Sequence, residues 1–99
     1  MSRTALLARV HKEQIIGVVR EESAAAASAV ADAYARNGIG IVEITMTTPH
    51  AVDLIAATVK RFGSEVVVAA GTVRSANDAA LARRAGATII VSPHTDLRV

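Results

Sequence analysis

Ile41-Val42-Glu43-Ile44-Thr45-Met46-Thr47 is the stretch on which the fold turns. Its β-branched residues mark a strand, and its nearly unbroken apolar character up to Thr45 suits a parallel strand covered on both faces. Alternation puts Glu43, Thr45 and Thr47 on one face and Val42, Ile44 and Met46 on the other. A carboxylate therefore lies inside a strand.

Comparable runs flank it: Ile15-Ile16-Gly17-Val18-Val19, Val66-Val67-Val68-Ala69-Ala70 and Thr88-Ile89-Ile90-Val91. The four runs begin at residues 15, 41, 66 and 88, intervals of 26, 25 and 22, so one supersecondary unit repeats along the chain. The spacing predicts strands near 15–20, 41–46, 66–71 and 88–92, with helices near 23–37, 49–62 and 75–85. Gly38, Gly63 and Gly86 read as the helices' C-terminal caps. Ser23, Thr48 and Ser75 are the expected N-terminal caps, Pro49 suits a first helical position, and Ser75-Ala76-Asn77-Asp78 resembles a capping box. In the helix near 49–62, Val52, Ile55, Ala56, Val59 and Phe62 form the expected buried stripe. A further amphipathic helix is expected over 4–14, with Leu6, Leu7 and Val10 on one side. Strands alternating with helices predict right-handed βαβ units and a parallel sheet. Both an open doubly wound sheet and half of an eight-stranded βα barrel fit, and the regular repeat favours the barrel.

Composition excludes several classes of function. The 99 residues suffice for one small domain, with 52% hydrophobic and 20% charged residues, so the chain is not compositionally disordered. A net charge of +2, one Phe, one Tyr and no Trp supply neither a basic patch nor a stacking surface, so no nucleic-acid or membrane partner is expected. The lack of cysteine removes disulfides, thiolate nucleophiles and Cys-based zinc sites, as a cytoplasmic setting permits. Met1 to Gln14 lacks the apolar core of a signal peptide, and no stretch approaches the ~20 apolar residues that span a bilayer. His11 and His50 have no metal-ligand pattern around them, and no Gly-rich nucleotide loop is present.

In parallel α/β folds the C-terminal strand ends build the site. Arg20, Glu43, Thr45, Thr47, Thr72, Ser92 and His94 occupy those ends. Glu43 is the least comfortable of them, because a buried carboxylate is paired, protonated or put to use. Two roles are open to it: a structural ion pair with Arg20, or acid/base work in a strand-end pocket. Arg20 in turn either pairs with Glu43 or offers its planar fork to a substrate carboxylate or phosphate. Gly71 before Thr72 permits either close backbone approach to a ligand or simply a tight strand exit.

Ile16-Gly17-Val18-Val19-Arg20, Val42-Glu43-Ile44-Thr45-Met46-Thr47, Ala70-Gly71-Thr72-Val73 and Ile90-Val91-Ser92-Pro93-His94, taken in order, resemble successive strands of 2-keto-3-deoxy-6-phosphogluconate (KDPG) aldolases and the related 4-hydroxy-2-oxoglutarate (KHG) aldolases. The likeness runs from about residue 5 to 96. It implies the N-terminal half, about four βα units, of a TIM (β/α)8 barrel, a homotrimer, and class I aldol chemistry. In that chemistry a lysine forms a Schiff base with pyruvate, with no metal and no other cofactor. The substrate implied is a phosphorylated keto-deoxy sugar acid, cleaved to pyruvate and glyceraldehyde 3-phosphate; 4-hydroxy-2-oxoglutarate would give pyruvate and glyoxylate. Glu43 matches the family's proton-transfer glutamate, and Thr72 a threonine that contacts the pyruvate carboxylate. Thr47 stands where many members carry an arginine for the same carboxylate, and members sharing that departure have an arginine matching Arg20. Gly71 belongs to the same substrate-binding motif, and Ser92, Pro93 and His94 match a pocket wall.

The only lysines are Lys12 and Lys60, neither at a strand end. By the resemblance, the Schiff-base lysine belongs to a later strand, so this chain is expected to be an N-terminal half, inactive alone and prone to self-association through its uncovered inner face. A non-catalytic anion-binding or oligomerisation module is the competing expectation.

Overall fold

A computed structural model describes all 99 residues. Helix α1 (Arg3–Glu13) precedes a strand and helix alternation of β1 (Gly17–Val19), α2 (Ala24–Arg36), β2 (Ile41–Thr45), α3 (Ala51–Phe62), β3 (Val67–Gly71), α4 (Ala76–Ala85) and β4 (Ile89–Ile90). A short 3-10 turn, Gly63–Glu65, leads into β3.

All strand pairs are parallel and the spatial order is β1-β2-β3-β4. Sequential order without reversal is the arrangement of a barrel wall; a doubly wound sheet would reverse direction along the chain. Val19, Val42, Ile44, Val68 and Ala70 point to one face, where they form the core with Ala27 and Ala31 of α2, Ala51 and Ile55 of α3, and Ala82 of α4. The alanines let these helices approach the sheet closely. The other face carries the row Val18, Glu43, Ala69 and Ile89, aligned across all four strands. α1 has no buried residue and sits at the N-terminal end of the strands, where Arg9 donates to the Ser64 and Glu65 carbonyls at 3.2 and 2.7 Å.

The outer strands are shorter than expected: β1 pairs only from Gly17, and β4 has two residues. Each has a neighbour on one side alone, although the Thr88 and Val91 amides flanking β4 still donate to the Val68 and Ala70 carbonyls at 3.0 and 2.8 Å. Ser23 and Ser75 cap α2 and α4 as expected, each accepting a backbone N–H at 3.1 Å. Thr48 does not cap α3, and Pro49 is not its first residue. Thr48 is buried with its hydroxyl 3.0 Å from that of Thr45, and the helix begins only after His50, which adopts φ 56°. At the other end of the helices, Gly86 caps α4 at φ 114°, whereas α2 closes on Asn37, one residue before Gly38. Gly38 then takes a left-handed φ of 89° and the Ile39 amide donates to the Tyr34 carbonyl at 3.0 Å, the glycine termination expected, while the Asn37 side-chain amide adds a bond to the Ala33 carbonyl at 2.7 Å. In α3 Ile55 is buried and Val59 and Phe62 pack against the core as expected, but Ala56 is exposed and Ala51 and Thr58 are buried. Thr58 fits the core because its hydroxyl donates to the Leu54 carbonyl at 2.7 Å.

Candidate functional site

The C-terminal strand ends converge as parallel pairing requires. Thr45 at the end of β2 lies in register with Gly71 at the end of β3, and the Met46 amide donates to the Gly71 carbonyl at 2.8 Å. Arg20 follows β1, and its Nη2 donates to Thr72 Oγ1 at 2.8 Å. That bond joins the ends of β1 and β3 across β2, the strand that carries Glu43.

Thr72 holds its position at a cost. Its φ is 53°, a left-handed backbone that β-branched side chains rarely adopt. Strain of this kind gathers where surrounding contacts fix a side chain for a task, and the contact seen is the one with Arg20.

Glu43 is half-buried on the inner face. Burial pushes its carboxyl above the usual glutamate value, and the Arg20 guanidinium pulls it back in part. No ion pair within 4.0 Å joins the two, so the structural salt bridge open on sequence grounds does not form; Arg20 acts on Glu43 through its field while hydrogen-bonding Thr72. The carboxylate lies instead against Gly71.

Thr47 is exposed, in the turn after β2, with its hydroxyl 3.1 Å from that of Thr45. Thr45 thereby links Thr47 to Thr48 in a short hydroxyl chain under the rim. Thr48 was beyond sequence reasoning as a rim residue, because a threonine before a proline reads first as a cap. Ser92 follows β4 at the same rim, since the Val91 amide donates to Ala70 O and the Val73 amide to Val91 O, at 2.8 and 3.0 Å. Its hydroxyl donates to His94 O at 2.8 Å. Pro93 and His94 are exposed, and the ring of His94 faces Asp96 at 4.0 Å. Hydrogen bonds from Arg98 hold the Asp96 carboxyl below its usual range. The structure thus brings Arg20, Glu43, Gly71 and Thr72 together, whereas Ser92, Pro93 and His94 make their polar contacts locally.

Lys12 is exposed on α1 at the opposite end of the strands, and Lys60 is exposed in the last turn of α3, which leads into the start of β3. Both lie away from the rim.

A parallel sheet in sequential order, with an arginine, a carboxylate and a strained threonine at its C-terminal rim, defines a segment of a βα-barrel enzyme. Residues 6–98 match the model of the KDPG and KHG aldolase family. The chain belongs to that family. It is 30% identical over 88 residues to the 2-dehydro-3-deoxy-phosphogluconate aldolase of Haemophilus influenzae, covering 89% of this chain and 41% of the relative. The KDPG aldolase of Zymomonas mobilis ZM4, solved with 3-phosphoglycerate, superposes with a TM-score of 0.72 at 32% identity, over 84% of this chain and 39% of that one. The Legionella pneumophila KDPG aldolase, with pyruvate captured at low pH as a covalent carbinolamine intermediate, gives a TM-score of 0.70 at 26% identity, over 84% and 40% of the two chains. The chain therefore spans about two fifths of the length of these relatives.

Proposed function

We propose that this chain carries the carboxylate-binding and proton-transfer part of a class I aldolase site. The whole site would cleave 2-keto-3-deoxy-6-phosphogluconate to pyruvate and glyceraldehyde 3-phosphate, and 4-hydroxy-2-oxoglutarate to pyruvate and glyoxylate. The observation that carries this assignment is the joining of Arg20 to Thr72 beside Glu43 at one strand-end rim, in a chain of this family.

Arg20 and the Thr72 hydroxyl offer donors to the carboxylate of a keto acid, whose charge would replace the lone hydroxyl now accepting from Arg20. Held there, the keto carbon stands over the inner face, within the domain of Glu43. A lysine amine adding to that carbon forms a carbinolamine; loss of water then needs a proton delivered to the departing hydroxyl, and the later enamine needs a proton at carbon. Glu43 supplies and recovers these protons. A carboxyl raised by burial retains its proton nearer to neutral pH than an exposed glutamate does, which suits that shuttle. Thr47, Gly71, Ser92 and Pro93 border the substrate in this proposal. Assembly as a homotrimer and a cytoplasmic setting complete it.

Lys12 and Lys60 lie away from the rim, so the Schiff-base lysine comes from another part of the complete barrel. Incubating the chain with pyruvate and borohydride is expected to leave its mass unchanged. Adding a lysine-bearing C-terminal half from a family aldolase should yield a trapped pyruvate adduct on that half. An adduct on Lys12 or Lys60 accompanied by turnover would overturn the assignment of the nucleophile.

A further inference from the structure

We propose that Gly71 is a positioning residue, whose missing side chain is the seat on which the Glu43 carboxylate rests. A Cβ at Gly71 would lie 2.8 Å from Glu43 Cδ and 3.0 Å from Cγ, and closer still to Oε2. Real carbon atoms do not approach that closely, so any side chain at 71 must move the carboxylate. The backbone conformation at this position does not call for glycine. The left-handed backbone that glycine tolerates occurs at Gly38, Gly63 and Gly86 but not at Gly71, and Glu43 supplies all three of the nearest atoms that a Cβ would meet. The backbone of β3 would thus accept alanine, and the first obstacle that alanine meets is the Glu43 side chain.

The register explains the encounter. Glu43 pairs with Ala69, and Thr45 pairs with Gly71, all on the inner face. The glutamate side chain therefore leans along the sheet by two residues, from the row of its own Cα towards the rim. There Gly71 leaves room for it beside the Arg20 and Thr72 pair. Arg20 is the one charged group acting on the carboxyl, so the seat also sets its distance from that charge. The contact stands on geometry alone; what the seated carboxylate does rests on the aldolase assignment above.

The test separates the two. Gly71→Ala displaces the end of a flexible, half-buried side chain and not backbone, so it is expected to lower the folded-to-unfolded ratio of the 99-residue chain only about three-fold in urea. In a Glu43→Ala background the same substitution should be neutral or raise that ratio, because the obstructing group is gone and alanine restricts the unfolded chain more than glycine does. Should Gly71→Ala fail to fold, the double variant should still fold. The Glu43 side-chain carboxyl, followed by carbon-13 NMR, should titrate lower in Gly71→Ala than in the parent chain as it is pushed towards water. Equal costs in both backgrounds, or an unmoved Glu43 titration in folded Gly71→Ala, would overturn the seat. If the seat survives and the complemented enzyme carrying Gly71→Ala keeps its full kcat, the positioning role falls while the contact stands.

Discussion

The Glu43 carboxyl loses water on entering the inner face of the sheet, and Arg20 offsets only part of that loss. A carboxyl whose folded pKa exceeds its unfolded one binds more protons when folded, across the interval between the two. Its stabilising contribution is fully present below the ordinary value of 4.5 and is lost as pH rises through the raised one. Glu43→Gln, which cannot ionise, is therefore predicted to have a higher urea midpoint than the parent chain at pH 7. The difference should close in acid, below that ordinary value, and a gap that persists or widens there would contradict it. Much of this was legible in the sequence, because a carboxylate inside a nearly continuous apolar strand is conspicuous. The partner of Arg20 was not legible. Whether its fork meets Glu43 or Thr72 depends on the left-handed turn at Thr72, a conformation that β-branched residues give no reason to expect.

At the scale of elements, period and composition located all four strands and all four α-helices, while errors fell at the ends and on helix faces. The two outer strands, each with a neighbour on one side only, are shorter than the sequence predicts. The start of α3 was misplaced because the Thr48 hydroxyl bonds that of Thr45, a buried local contact that spacing does not reveal. That α3 exposes Ala56 and buries Thr58 is set by its packing against β2, β3 and the neighbouring helices. Paired substitutions test that face. Ile55→Ala should cost about 2–5 kcal/mol, whereas Ala56→Glu should stay within about 0.5 kcal/mol in urea denaturation. A large cost at Ala56 would return the helix to the face that periodicity alone assigns.

For the whole molecule, the inner face is the largest exposed apolar feature of the sheet. Val18 is 44% exposed, Ile16 38% and Val91 36%, and Leu7 of α1 is 61% exposed beside them. Apolar surface of this kind on a sheet with short, unpaired outer strands favours association. Sedimentation of the chain by itself is predicted to give a weight-average mass that climbs with concentration above the 10.2 kDa of one copy. Val18→Glu should reduce that rise, and a uniform single-copy species over the same range would contradict it. No helix is long and apolar enough to cross a membrane. The same face carries Glu43, which ties the molecule's exposed surface to its chemistry. The decisive measurement is the kcat for KDPG cleavage by the chain complemented with a lysine-bearing C-terminal half, compared with the same complex carrying Glu43→Gln. Loss of a general acid/base should lower kcat by about 10²-fold or more with the complex intact; a kcat within about two-fold of the parent complex would contradict the assignment of Glu43 as the proton-transfer group.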